Sequence, residues 1–360
     1  MAKKIVVACG GTGGHALPGL AVAQELKRRG HDVALWSSGR DVEGSALHDW
    51  VGPVFATGAR QLSASHVPAN CCAVLRCLGE LRRFRPDALL AMGSYSSLPP
   101  VLAARLRGVP VVLHEANTVP GKAVSFLARF AKCVAISFPE TESRLPGRAT
   151  ALTGLPVRED IDKGVRFAAI PENAFTVFVT GGSQGAHRVN ELMSQALVLL
   201  KEDFEKSGIG RPLYVIHQTG VADEGEIMAR YAQAGLTSRV QAFEREMAAA
   251  FASADLVVAR AGASTCFELA KCGKPALLIP LPSAMRDHQH FNAQAFVRGG
   301  AADEGVQSEL TGRSIERYIL HKAQHPEELV RMSAAMKTIG ERSAAGAAGR
   351  VADLVEKTAN

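Results

Sequence analysis

Ile5-Val6-Val7-Ala8-Cys9-Gly10-Gly11-Thr12-Gly13-Gly14-His15 opens the chain. Phe175-Thr176-Val177-Phe178-Val179-Thr180-Gly181-Gly182-Ser183-Gln184-Gly185-Ala186 repeats its design in the second half. In each, a short apolar run stops at glycines and a helical pattern follows. Apolar runs without alternation are covered on both faces, which implies parallel strands between helical layers. Residues 20–29 read as a helix stopped at Gly30, and residues 32–36, 88–92, 109–113 and 133–137 continue the strand series. After the restart, residues 187–200 read as helix, and 213–217, 256–259 and 276–279 as strands. The chain is therefore α/β with two halves. Gly154 and Pro156 punctuate the join, giving domains 1–156 and 157–343, with a terminal helix in 344–360 expected to pack back on the first.

A length of 360 residues suits two domains, and 47% hydrophobic with 21% charged residues is ordinary globular composition. The net charge of +6 and a pI near 9.0 fit a phosphate-bearing partner or simply a basic solvated surface. With 6% aromatics and no basic–aromatic run, nucleic-acid stacking has no support, so no nucleic-acid partner is expected. Seven cysteines without a CxxC pair argue against a zinc ribbon or disulfide framework and for a reduced, intracellular protein. The run at residues 5–9 is too short for a signal-peptide core, and no segment reaches the roughly 20 apolar residues of a spanning helix. Any membrane contact would be peripheral.

Glycines let a loop turn sharply and approach a ligand, and a following helix N-terminus favours phosphate. The first loop also fits GxGxxA, but Ser37-Ser38-Gly39 stands where a dinucleotide fold expects a carboxylate. No Walker lysine follows it. His15 at the loop mouth is a candidate base or phosphate ligand, or a local cap. In the second loop Ser183 and Gln184 accompany three glycines, more than a tight turn requires. Arg260 to Glu268 forms a third strand-to-helix turn, where Glu268 suits a ribose diol or a favourable N-terminal helix charge. His114-Glu115-Ala116-Asn117 and Arg286 to Asn292 follow strands, at the edge where open α/β sheets bind ligands. HExxH is absent, so no metal and no cofactor are expected. In residues 71–85, Val74, Leu75, Leu78, Leu81 and Phe84 recur at helical spacing beside Arg76, Arg82, Arg83 and Arg85. That helix either covers the sheet or dips an apolar edge into anionic headgroups.

The ordered set resembles one family along nearly the whole chain: Gly10 to His15 with Pro18-Gly19-Leu20-Ala21, His114 to Asn117, Gly154-Leu155-Pro156-Val157-Arg158, Gly181 to Ala186, Arg260 to Glu268, and His288-Gln289 with Asn292. This is the MurG family, bacterial transferases that add N-acetylglucosamine to lipid I and so make lipid II for peptidoglycan. The resemblance implies a GT-B fold, two Rossmann-like domains facing a cleft, with inverting, metal-independent transfer. The implied partners are UDP-N-acetylglucosamine, lipid I, an anionic membrane surface at the cytoplasmic face of the inner membrane, and other cell-wall synthesis proteins.

It also implies roles. Thr12, Gly13, Gly14 and Asn117 would meet the donor sugar, and Arg158, Ser183 and Gln184 the donor phosphates and nucleotide. Ala263, Ser264, Thr265 and Glu268 would hold the nucleoside, with a backbone contact to uracil near Glu244, and Gln289 would take the sugar hydroxyls. Gly13, Gly14, His15, Ser94, Tyr95 and Ser96 would face the acceptor pyrophosphate. His15 is the first candidate base and Glu115 the second. Leu75, Leu78, Leu81 and Phe84 with Arg82, Arg83 and Arg85 would meet the membrane. Departures are Gly93-Ser94-Tyr95-Ser96-Ser97-Leu98-Pro99-Pro100, less glycine-rich than the family's Gly-Gly-Tyr segment, Ala116 at a commonly polar position, and Glu244 where the backbone contact to uracil is expected. A GT-B transferase acting on diacylglycerol is the nearest rival, and a UDP-N-acetylglucosamine 2-epimerase or a dehydrogenase the next. A scaffold has little use for three glycine-rich turns.

Overall fold

The computed structural model describes residues 1–11, 13–40, 50–61, 63–182 and 184–359. The chain divides into two compact units, Met1–Arg158 with Ser343–Asn360, and Glu159–Arg342.

In the first unit, β1 (Lys4–Ala8), β2 (Asp32–Ser37), β3 (Val54–Ala56), β4 (Ala88–Ala91), β5 (Val111–Glu115), β6 (Cys133–Ile136) and β7 (Thr150–Leu152) lie in the order 3-2-1-4-5-6-7. All pairs are parallel, with Val6 beside both Ala34 and Leu89. Ile5, Val7, Leu35 and Leu90 face α1 (Gly13–Arg28) and the C-terminal helix Ala347–Thr358, whose Val351 and Val355 are fully buried there. Burying a valine contributes about 2 kcal/mol, so this helix is part of the unit's core. Val6, Ala8, Leu89 and Ala91 face the other way, toward α2 (Val67–Phe84), α3 (Leu98–Arg107) and α4 (Lys122–Leu127). Cover on both faces is what the unbroken apolar runs encode.

The second unit repeats the plan. Its strands are β8 (Phe175–Thr180), β9 (Leu213–Gln218), β10 (Ser238–Gln241), β11 (Leu256–Ala259), β12 (Ala276–Leu278) and β13 (Ala302–Glu304). They are parallel in the order 10-9-8-11-12-13. The helices are α5 (His187–Lys206), α6 (Glu224–Gln233), α7 (Met247–Ser253), α8 (Ala263–Cys272), α9 (His288–Arg298), α10 (Gly312–Gln324) and α11 (Pro326–Ser343). Leu192, Leu197, Ile315 and Ile319 lock α5 and α10 over one sheet face.

Each sheet therefore has a switch point, between β1 and β4 and between β8 and β11, where the chain turns outward in opposite directions. Loops at the carboxyl ends of those strands diverge and leave room for a ligand. Two boundaries differ from the sequence reading in ways that matter there. Helix α1 begins at Gly13, not near Leu20, so the glycine loop itself supplies the first helical turn. Strand β5 extends through His114 and Glu115, which were expected beyond it.

Candidate functional site

In the second unit the loop after β8 must be glycine-rich. Gly185 has φ +73°, and a Cβ there would meet the Thr219 carbonyl oxygen at 2.0 Å. The Gln218 side chain donates to the Gly182 carbonyl (2.7 Å), and Gly182 N–H donates to Thr180 Oγ1 (3.1 Å). Across the switch point the Arg260 guanidinium donates to the carbonyls of Ile279 (3.1 Å) and Pro280 (3.0 Å) and to Gln307 Oε1 (2.7 Å). It braces the loop after β12, and burial lowers its pKa. The N-termini of α5 and α8 open on a cavity of about 630 Å3 lined by Gly181, Gly182, Gly185, Gly262, Thr265 and Gln289, with His187, Arg188 and Arg260 as its basic side chains. Two dipole ends and these basic side chains make it a site for a polyanion. Gln289 Oε1 accepts from Leu281 N–H (2.9 Å), which fixes its amide on the cavity wall. Half-buried Glu268 lies one turn beyond Thr265 on the same face of α8.

Sequence reasoning missed what stands behind this loop. His187 Nδ1 pairs with Asp223 Oδ1 (2.9 Å), and Asn190 Nδ2 donates to the other Asp223 oxygen (2.7 Å). The Asp223 bond raises the His187 pKa. Burial raises the Asp223 carboxyl, but the Asn190 and His187 bonds outweigh it and hold it low. Asn190 Oδ1 meets His217 Nε2 (3.2 Å), and His217 Nδ1 meets Tyr231 Oη (2.8 Å). Full burial lowers the His217 pKa to about 3. The partners lie far apart in sequence, and the one usable signal was that His217 and Gln218 end a strand.

In the first unit, Gly13, Gly14 and His15 form the start of α1. His15 Nδ1 donates to the Met92 carbonyl (3.0 Å). A carbonyl only accepts, so Nδ1 carries the proton and Nε2 is the basic nitrogen of the neutral ring. Ser96 Oγ donates to the Gly10 carbonyl (2.5 Å), and Arg40 reaches the Gly11 carbonyl (3.4 Å) and the Tyr95 hydroxyl (3.2 Å). A Cβ on Gly11 would meet Ser94 Oγ at 2.5 Å. Residues 10, 11 and 13–15 are thus stitched to residues 92–96 at the first switch point.

Several expected site residues stand differently. The Glu115 carboxylate is buried and accepts from the N–H groups of Asn117 (2.9 Å) and Gly121 (2.9 Å) and from Asn117 Nδ2 (3.2 Å). Burial raises its pKa against those bonds. It anchors the 116–121 loop through both of its oxygens. His114 Nε2 donates to the Gly154 carbonyl (3.3 Å), and burial lowers its pKa to about 4. The Glu244 carboxylate is taken by Arg239 (2.9 Å), and the Glu244 N–H donates to Gln218 Oε1 (3.3 Å).

On α2 the apolar stripe faces inward. Leu81 is buried, Val74, Leu78 and Phe84 pack on the core, and Leu75 stays 67% exposed. Leu81 therefore cannot meet lipid. Arg82, Arg83 and Arg85 are exposed. Gln184 is exposed, and Arg158 closes the first unit half-buried. Ala263 and Ser264 open α8 without lining the cavity. Thr12 and Ser183 lie outside the described residues. Among the described residues no group of three or more His, Cys, Asp or Glu could hold a metal, and no helix is long and apolar enough to cross a membrane.

Residues 5–136 match the Glycosyltransferase family 28 N-terminal domain, and residues 176–347 match the Glycosyltransferase family 28 C-terminal domain. A relative from Solibacter usitatus (strain Ellin6076), named UDP-N-acetylglucosamine--N-acetylmuramyl-(pentapeptide) pyrophosphoryl-undecaprenol N-acetylglucosamine transferase, is 38% identical over 99% of this chain and 97% of its own. One of the same name from Geotalea uraniireducens (strain Rf4) is 36% identical over 95% of each. The crystal structure of Acinetobacter baumannii MurG aligns with a TM-score of 0.77 at 32% identity, covering 98% of this chain and 99% of that one. Identity at this level over both parallel-sheet units leaves one assignment: the chain belongs to glycosyltransferase family 28 and, within it, to the MurG family of N-acetylglucosaminyltransferases.

Proposed function

We propose that the protein transfers N-acetylglucosamine from UDP-N-acetylglucosamine to the 4-hydroxyl of the muramoyl sugar of lipid I, with inversion, forming lipid II. The observation that carries this is full-length identity to transferases of that name, joined to a polyanion cavity at the second switch point. The donor diphosphate sits against the N-termini of α5 and α8, with Arg158, Ser183 and Gln184 as further contacts. Thr265 and the first turn of α8, opened by Ala263 and Ser264, cradle the nucleoside, Glu268 takes the ribose diol, and Gln289 takes sugar hydroxyls. The backbone near Glu244 reads the uracil.

Thr12, Gly13, Gly14 and Asn117 serve the donor sugar side, while His15, Ser94, Tyr95 and Ser96 face the acceptor pyrophosphate. His15 Nε2 accepts the acceptor hydroxyl proton as that oxygen bonds to the sugar C1 and the C1–O bond to UDP breaks. The leaving diphosphate's charge falls on backbone N–H groups already aimed at it. The acceptor's isoprenoid tail stays in the bilayer, so the enzyme works at the cytoplasmic face of the inner membrane. Exposed Leu75 and the arginines of α2 provide the contact.

The test is transfer of radiolabelled sugar from UDP-N-acetylglucosamine to a lipid I analogue, with diacylglycerol as the competing acceptor. Labelled lipid II is the expected product. Label in diacylglycerol, or epimerised sugar without any acceptor, overturns the reading.

A further inference from the structure

The donor cavity has three basic side chains in its wall, and they are not equivalent. Arg260 spends its guanidinium on the carbonyls of Ile279 and Pro280 and on Gln307, so it holds a loop. Arg188 pairs with Glu191 (2.6 Å), one turn along its own helix. His187 is the first residue of α5, directly after the glycine loop, and its side chain is exposed at the cavity. Its Nδ1 is committed to Asp223, which fixes the ring and leaves Nε2 as the nitrogen that can address a ligand. Asp223 is itself held by Asn190, which also donates or accepts at Thr219 and His217, so the ring is mounted on the buried network behind β9.

We propose that His187 is a donor-diphosphate ligand, positioned by Asp223, whose imidazolium supplies charge to the nucleotide pyrophosphate at the start of α5. This rests on the reading of the cavity as the UDP-sugar site. The groups facing the ring are Asp223 just before α6, Glu226 on α6, and Glu191 with Arg188 on α5. The three carboxylates favour the charged ring, and the Asp223 bond is the largest influence. The imidazolium is present below its raised pKa and lost as pH rises through it. Donor affinity therefore weakens as pH rises through that pKa, which the carboxylates hold above the ordinary histidine value.

The experiment is calorimetric titration of the full chain with UDP-N-acetylglucosamine from about pH 6 to about pH 8.5, a range in which the sugar nucleotide's pyrophosphate does not titrate. Wild-type affinity should fall across the range. His187→Gln should bind about tenfold more weakly at the acid end, the loss of one charge-assisted hydrogen bond, and show a flat pH profile. His187→Lys should restore affinity and keep it to the alkaline end, and Asp223→Asn should move the transition to lower pH. Melting temperatures are read alongside. His187→Gln with wild-type affinity but a lowered melting temperature overturns the proposal, because the pair then only ties α5 to the segment before α6. Should His187→Gln fail to fold, a His187→Lys profile that still falls with pH overturns it. If the wild-type chain binds no UDP-N-acetylglucosamine, the donor reading itself is wrong and the role of His187 falls with it.

Discussion

Ser94 sits with φ +68° and ψ 169°, a backbone conformation that belongs to glycine. The family pattern has a glycine-rich segment here, and this chain places a serine in that conformation, its Oγ where a Cβ on Gly11 would come. Such strain costs on the order of 1–3 kcal/mol, partly offset by the lower unfolded-state entropy of serine. Ser94→Gly should therefore raise stability by about 1 kcal/mol in urea unfolding, whereas Ser94→Ala should not. A loss on going to glycine would mean that the serine contacts outweigh the strain. His15 is the other residue with a sharp expectation. With Nε2 as its basic nitrogen, His15→Ala should lower kcat by about 10²–10⁴-fold while UDP binding changes little. Near-normal turnover would leave His15 as a brace on the Met92 carbonyl.

At the scale of elements, the sequence was most readable where burial is two-sided. Strands β1, β4, β8 and β11 flank the switch points and are buried along their length save Lys4, because helices cover both faces, and their residues are mostly apolar. The four edge strands β3, β7, β10 and β13 were not legible. They have three or four residues each, and Val54, Ala56 and Leu152 are exposed, so no apolar run marks them. The glycine loops were legible because a chain turning from strand to helix beside a ligand has few alternatives. The Glu115 anchor and the His187–Asp223 pair were not, since a hydrogen bond made across a fold leaves no periodicity.

Helix α2 shows the limit of pattern alone: the same spacing that suggested a lipid-facing edge is the stripe that buries Leu81. What remains outside is Leu75 with a field of arginines, so membrane binding should be chiefly electrostatic. Changing Arg82, Arg83 and Arg85 to Glu should abolish flotation with anionic vesicles, while Leu75→Ser should weaken it modestly. Each basic residue is worth about 1 kcal/mol near a charged leaflet, so added salt should weaken wild-type binding too. Intact flotation of the folded triple variant would move the docking surface elsewhere.

Among the described residues of the whole molecule, each unit buries one neutral histidine, His114 in the first and His217 in the second. Burial depresses both, to about 4 and about 3, below the ordinary value of 6.5. Below 6.5 the unfolded chain takes up protons that the folded chain refuses, so stability falls as pH drops toward the folded values. Each site contributes at most about 1.4 kcal/mol per pH unit. Glu115, raised by burial, acts in the opposite sense. Replacing His217 with Gln should remove one site's share, so the loss of stability between about pH 7 and about pH 5 should shrink by about 2 kcal/mol in urea unfolding. An unchanged slope would mean that His217 is not the residue refusing the proton.

The C-terminal helix lies in the first sheet's core, with Val351, Ala352 and Val355 against α1, β4 and β5. A ribosome releases residues 1–158 long before it makes that helix. The first half must wait through synthesis of the entire second unit with the α1 side of its sheet incompletely covered, a condition that invites chaperones. A premature stop near residue 345 would spare nearly all of the last-made unit and damage the one made first.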